Sequence, residues 1–191
     1  MRHATTMNGL AASGRLAAVA LGAALLAATI AGPALADNTI SFTIVAGPRT
    51  ASVDNLTFAP LTASASGQTA RGTLVLTADD RSGSGAGWNV TVVSSDFVGS
   101  GTAAGTSIPA ANFLLTSAAT PVAIAGQPIE ANDPVAFSAG SLDEPRSVLR
   151  ANAGFGGGAY REALGVSLVI PAGSPAGTYT GTLTTTISAA P

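Results

Sequence analysis

The sequence predicts an all-β protein, an antiparallel β-sandwich of the immunoglobulin-like or Greek-key type that follows a cleaved signal helix. Apolar residues alternate with a period of two in many short stretches, whereas a helical period is hard to find. The chain has 23 Gly and 11 Pro, and these residues cluster between the alternating stretches, where they end strands. The polar positions of the stretches are rich in Thr and Ser, which suit the solvent face of a pleated sheet.

The N-terminal part of the chain has the features of a secretory signal peptide. Two arginines accompany an apolar run over residues 16–30, and the small residues at 34–36 form a cleavage site. The run is shorter than the roughly 20 residues that a transmembrane helix needs. We therefore predict a signal peptide over residues 1–36 and a single exported domain over residues 37–191, with an uncleaved N-terminal anchor as the alternative.

The amino-acid composition limits the classes of partner that this protein can bind. All 8 basic residues are Arg, 10 residues are acidic, and the formal net charge is −2. A mildly acidic chain without Lys is a poor binder of nucleic acid or of anionic membranes. The absence of Cys excludes a disulfide framework, a cysteine-liganded metal site and lipidation of a cysteine. With no apolar C-terminal tail either, we expect a secreted or surface protein, without a stable membrane span after cleavage, that is held non-covalently or released.

The strands are expected where the alternation is clearest. The glycine-rich segment 148–160 has room for a helical turn, but its glycines favour a loop. The expected strands cover residues 40–45, 56–58, 73–77, 88–93, 113–115, 164–170 and 179–187.

Catalysis is not expected. The only His is His3, so a cleaved chain has neither a Ser–His nor a Cys–His nucleophile arrangement. A pair of carboxylates for glycoside hydrolysis is the remote alternative, although most of the acids lie in predicted loops where turn capping is their ordinary role. No cofactor is predicted. The candidate acids are Asp79, Asp80, Glu130, Asp133, Asp143 and Glu144.

The stretch Asp79–Val93 gathers the least common residues. An acidic pair beside glycines could offer oxygen ligands to calcium, but the spacing of an EF-hand is absent. We favour a turn in which an Asp accepts hydrogen bonds from turn amides and Arg81 pairs with an acid, so no metal is predicted. The predicted structural hairpin is formed by Asp80, Arg81, Gly83, Gly85 and Gly87.

Trp88 is the only tryptophan of the chain and follows directly after these glycines. An exposed aromatic side chain could stack on a sugar or anchor a partner. However, Trp88 shares its parity with Val90 and Val92, and this apolar face should turn toward the sandwich core. The pattern therefore favours a core tryptophan.

Four segments, in this order and with this spacing, resemble the WxL domain family of bacterial surface proteins: Phe42–Gly47, Asp80–Val92, Leu168–Gly173 and Gly177–Ile187. Together they extend over essentially the whole predicted mature chain. That family is known for non-covalent attachment to the peptidoglycan wall, often alongside other surface proteins. The resemblance thus implies a surface protein whose partners are peptidoglycan or other cell-surface proteins.

The two motifs that give the family its name are altered here. The first reads Trp88-Asn89-Val90, with Val where the family usually has Leu, and the second has Thr185 in place of Trp and Ile187 in place of Leu. The resemblance implies Trp88, Val90, Thr185 and Ile187 as candidate binding residues. Because both motifs fall on apolar faces, these four could instead be core positions of the fold, with binding done elsewhere.

The predicted function is non-covalent association with the peptidoglycan cell wall or with a surface complex. The alternative is a structural or adhesive surface subunit that assembles with itself or with a partner protein, for which exposed sheet edges offer a route.

Overall fold

The computed structural model describes residues 40–129 and 137–190. The chain divides into two compact units, Met1–Phe42 and Thr43–Pro191, and the sheets described here belong to the second. The predicted signal peptide lies outside the described residues. Over the described ranges, no helix has both the length and the apolar character needed to cross a membrane.

Twelve strands make up the described part of the second unit, and each strand pairing in it is antiparallel. Two single turns of 3-10 helix accompany them, at Gly101–Ala103 and Ala110–Asn112. The strands are β1 (Arg49–Val53), β2 (Gln68–Asp80), β3 (Trp88–Ser94), β4 (Phe97–Ser100), β5 (Ser107–Ile108), β6 (Phe113–Ala118), β7 (Val122–Gly126), β8 (Gly140–Ser141), β9 (Arg146–Ala151), β10 (Gly158–Ile170), β11 (Thr178–Thr180) and β12 (Leu183–Ala189).

The strands form three sheets, which we name A, B and C. Sheet A has the order β1-β2-β10-β6-β8, with β7 also paired to β10, sheet B has the order β12-β3-β9, and sheet C has the order β11-β4-β5. The long strands β2 and β10 pair along their whole length, from Gly158 opposite Asp80 to Ile170 opposite Gln68. Their alternating apolar residues therefore supply one wall of the core.

The core lies between the inner faces of sheets A and B. Leu76, Ala78 and Leu164 of sheet A are buried there with Val90 and Leu149 of sheet B. Burying a Leu or Val side chain stabilises a fold by roughly 1.5–3 kcal/mol, which is why two alternating faces pack together rather than remain in water. The predicted antiparallel sandwich is confirmed.

Two of the expected strands are absent, and the expected strand over residues 179–187 is divided into β11 of sheet C and β12 of sheet B. Residues 40–45 form no strand, and the side chains of Ile40 and Phe42 are 95% and 85% exposed. Leu56 and Phe58 alternate because they are anchors of the irregular loop between β1 and β2, where both are half-buried. Gly72 gives them room, since a Cβ atom there would lie 2.9 Å from the Leu56 side chain. Alternation of apolar residues indicates that side chains are buried, but it does not require a strand, because a loop can bury side chains without pairing its backbone.

The segment 148–160 also differs from its prediction. Residues up to Ala151 complete β9 and residues from Gly158 begin β10, so only 152–157 is irregular. Strand β7 was not anticipated either. All five of its residues are exposed, and an edge strand that buries no side chain has no alternating pattern.

Candidate functional site

The residues predicted to form a hairpin do not do so. Asp80 ends β2 in sheet A, whereas Trp88 begins β3 in sheet B, and these two strands do not pair with each other. Residues 81–87 therefore carry the chain from one sheet to the other. Gly87 has a φ of 72°, and a Cβ atom there would lie 2.4 Å from the Ala151 carbonyl oxygen, so this approach requires glycine. Asp and Gly favour turns, but they do not decide whether the strands on either side of a turn pair with each other.

The charged residues of this connection are engaged with each other. Asp80 accepts a hydrogen bond of 2.9 Å from the Ser82 amide and another of 2.9 Å from Arg49. Burial alone would raise the pKa of Asp80, but the hydrogen bonds from Arg49 and Ser82 and the charge of Arg49 outweigh it and lower the pKa. Arg81 pairs with Asp79 at 2.7 Å. The predicted hydrogen bond from a nearby amide to an Asp and the predicted ion pair of Arg81 are therefore present, although the hairpin is not. The described residues include no group of three or more His, Cys, Asp or Glu suited to holding a metal ion.

Trp88 is completely buried, as its parity predicted. Its indole N–H donates to the Gly156 carbonyl oxygen at 2.8 Å, and its ring lies 5.7 Å from the Tyr160 ring at a tilt of 48°. A Cβ atom at Gly156 would lie 2.7 Å from the indole nitrogen, so the loop after β9 is shaped around this ring. The indole has both a packing partner and a hydrogen-bond partner inside the protein, and it presents no surface to a ligand.

The four predicted binding residues come together on two neighbouring strands. Val90 on β3 lies opposite Ile187 on β12, and Thr185 lies opposite Val92. Val90 is buried, and Thr185 and Ile187 are half-buried on the side of β12 that faces the core. The hydroxyl oxygen of Thr185 is buried without a hydrogen-bond partner among the described residues. In this arrangement the motif residues hold β3 against β12.

Glu162 is a buried acid that the sequence reasoning missed. It points from β10 into the core with 1% exposure, and neither carboxyl oxygen has a hydrogen-bond partner in the described part of the chain. Burial raises the pKa of Glu162 to about 8, so the side chain is protonated at neutral pH. The signal was available, because Glu162 shares the parity of Tyr160 and Leu164. Because this carboxyl group is closed to solvent, it cannot contact a substrate. The catalytic acid of a glycosidase also has a raised pKa, but it lies where the substrate binds.

A surface groove lies where β2 begins and β10 ends. It encloses about 570 Å³, a size typical of small-molecule sites. Its walls are the loop residues 56–64, 171 and 174–177 together with β11, and none of the described residues that line it is charged. We call this feature the groove. Its remaining lining residues are Gln68, Ala70, Phe97, Ile108, Leu168, Ile170 and Gly181.

The walls of the groove are tied together. The Gly173 amide donates to the Ser64 carbonyl oxygen at 2.9 Å, which joins the two loops. The Tyr179 hydroxyl donates to the Pro175 carbonyl oxygen at 3.0 Å. Beneath them, the ring of Phe97 packs edge-on against Phe113 at 5.3 Å. These contacts make the groove a preformed feature of the fold.

Comparison with known proteins adds one finding. The chain matches the family described as WxL domain, surface cell wall-binding, over residues 40–191. Neither the curated proteins nor the solved structures give a match. The matched range includes both sheets of the sandwich, the buried Trp88 and the whole groove. The chain therefore belongs to the WxL family of surface, cell-wall-binding domains.

Proposed function

We propose that this protein attaches non-covalently to peptidoglycan and acts there as a binding domain. The observation that carries the proposal is the family match over residues 40–191, which gives a surface protein that binds the cell wall. This family is one of binding domains rather than of enzymes. Among the described carboxylates, those of Asp79 and Asp80 are paired with arginines and that of Glu162 is enclosed in the core.

In this proposal the motif residues act through the fold. Trp88 and Val90 are fully buried, so they support the binding surface by holding sheet B in place. Thr185 leaves β12 paired with β3 in full register, from Leu183 opposite Ser94 to Ala189 opposite Trp88. The altered second motif is therefore compatible with an intact domain. Wall binding then depends on surface residues outside the two motifs.

Sedimentation with purified peptidoglycan tests the proposal. We expect the purified protein to sediment with the insoluble wall and to be released by a denaturant, because no covalent bond is involved. Retention should depend weakly on salt if uncharged surfaces make the contact. Protein unfolded by heat and kept unfolded serves as the control for trapping. Failure of the folded protein to sediment at any salt concentration would refute wall binding.

A second function, assembly with itself or with a partner protein, is favoured by a different observation. The segment 40–45 exposes large apolar side chains, with Ile44 82% and Val45 83% exposed. An apolar segment that pairs with no strand among the described residues can add to the sheet edge of another molecule. Crosslinking on intact cells, followed by size-exclusion chromatography of the purified protein, tests this. Recovery of monomer alone in both experiments would contradict it.

A further inference from the structure

We propose that the groove binds an uncharged, N-acetylated sugar unit of the wall glycan. This inference rests on the proposed attachment to peptidoglycan and assigns both the site and the ligand class to it. The groove joins a suitable volume, about 570 Å³, with aromatic walls.

Charge selects a neutral ligand. None of the described residues that line the groove is an Asp, Glu or Arg. A carboxylate of a stem peptide or a phosphate of an anionic wall polymer would lose hydration there without gaining an opposite charge. A neutral sugar loses no such charge hydration. The groove is therefore suited to the glycan rather than to the charged parts of the wall.

Apolar side chains suit the carbon-bearing faces of a sugar ring and the methyl group of an acetamide. Phe97 and Tyr179 are half-buried in the groove, and Leu61 on its rim is 47% exposed. Side chains of this kind gain free energy when a ligand removes them from water. Because these side chains are partly exposed in the folded protein, a ligand can still bury them and gain this free energy.

A free carboxamide supplies the polar contact. Gln68 lines the groove and is half-buried, and its side chain makes no hydrogen bond within the described part of the chain. A primary amide has both donors and acceptors, which match the carbonyl and the N–H of an acetamido group. Thr178 and Thr180 also line the groove and are exposed.

The groove is built before the ligand arrives. The hydrogen bond between Gly173 and Ser64 joins its two loops, and the Tyr179 hydroxyl is held by Pro175. Binding to a preformed site avoids the free-energy cost of ordering loops and side chains. The ligand should therefore leave the backbone of these loops nearly unchanged.

Amide NMR titration of the purified protein tests the inference. The probes are the tetramer of N-acetylglucosamine, the tetramer of glucose, which lacks the acetamido group, and the tetramer of glucosamine, which is cationic. We expect the N-acetylated tetramer to shift amide signals of groove residues. The other two should bind at least about tenfold more weakly, the ratio that corresponds to about 1.4 kcal/mol. Equal binding of all three, or shifts confined to residues outside the groove, would overturn the inference.

Matched variants sharpen the test. Gln68→Leu keeps the size of the side chain but removes its amide, and we expect it to weaken binding of the N-acetylated tetramer about tenfold. Thr69→Val on the same strand does not line the groove and should bind as the original protein does. Unchanged affinity in Gln68→Leu would overturn the role of this residue and the ligand class argued from it.

The same variants separate the inference from the proposed function. Sedimentation of the original protein with peptidoglycan, without any effect of the N-acetylated tetramer on the groove, would overturn the inference and leave wall binding standing. Tetramer binding in the groove without sedimentation would support the inference and refute wall attachment. Weaker sedimentation of Gln68→Leu than of Thr69→Val would support both.

Discussion

The two ends of β10 differ in how they use aromatic side chains. Near its beginning, Tyr160 packs against Trp88, and both rings are completely buried. Near its end, about 30 Å away by the rise of a strand, Phe97 and Tyr179 line the groove and are only half-buried. The first end also encloses Glu162, whereas the described lining of the groove carries no charge.

This difference separates the residues that stand out in the sequence from those that form a binding surface. Trp88 and the connection that precedes it are the most distinctive part of the chain, and the structure places them in packing and turn roles. The groove is made of Thr, Ala, Pro, Gly and a few larger side chains, which are common throughout the chain. We therefore expect substitutions at the buried end of β10 to change stability, and substitutions in the groove to change binding.

The largest effect is expected for Trp88→Ala. Removing a buried indole leaves a cavity and an unpaired Gly156 carbonyl oxygen, so unfolding free energy should fall by about 3–5 kcal/mol. Urea denaturation measures it. Trp88→Phe, which retains a ring, should lose less. A Trp88→Ala protein of unchanged stability that no longer binds the wall would reverse the comparison and make Trp88 a contact residue.

The next effect is a dependence of stability on pH. The pKa of Glu162 is raised from 4.5 to about 8 in the fold, so the folded state keeps a proton that the unfolded state releases between these values. Stability is therefore fully present below pH 4.5 and should fall by about 1.4 kcal/mol per pH unit up to pH 8. Urea midpoints at pH 5, 6, 7 and 8 measure the slope, a choice of conditions that spans the window.

Glu162→Gln provides the control for that slope, because an amide of the same shape does not titrate in this range. The variant should remove most of the fall in stability. If the original protein and Glu162→Gln show the same slope, the carboxyl group is not enclosed as described.

A smaller effect is expected at the inter-sheet connection. Arg49→Met leaves the buried Asp80 carboxylate without the hydrogen bond that lowers its pKa, and should cost about 1–3 kcal/mol. Arg81→Met is the matched control, because its side chain is 69% exposed and surface ion pairs contribute about 0–1 kcal/mol. Chemical denaturation of both at pH 7 gives the comparison. Equal losses would show that the two ion pairs do not differ in burial.

The smallest effect on stability is expected in the groove. Leu61→Ser and Gln68→Leu change a rim residue and a half-buried residue, so their unfolding free energies should stay within about 0.5 kcal/mol of the original. Thermal unfolding measures this. A loss of 2 kcal/mol or more in either would place the groove residues among the packing residues, and the two ends of β10 would no longer differ.

Much of the fold could be predicted because the alternation of apolar residues is a local property. It located β2, β3 and the later part of β10, and it placed Trp88 on the core face. The acidic turn was also predictable, since an Asp that caps the amide two residues ahead needs only neighbouring residues. The burial of Glu162 could also have been predicted, because this residue has the same parity as its buried neighbours on β10.

Other features depend on contacts that alternation does not report. Residues 40–45 alternate as clearly as a strand but form none, and Leu56 and Phe58 alternate inside a loop. The hairpin prediction failed because turn residues mark where a strand ends and leave its partner strand open. Leu61 and Tyr179 both line the groove, although they are far apart in the chain and no sequence pattern links them.

The sequence by itself determined the class of fold and, through four ordered segments, the family whose match over residues 40–191 makes this a surface protein that binds the cell wall. The tertiary structure decided which residues remain available for that binding. It enclosed Trp88 between the two sheets and left Phe97, Tyr179 and Gln68 at an open end. The physical reason is that periodicity is set by neighbours along the chain, whereas exposure is set by whichever distant strand or loop covers a side chain.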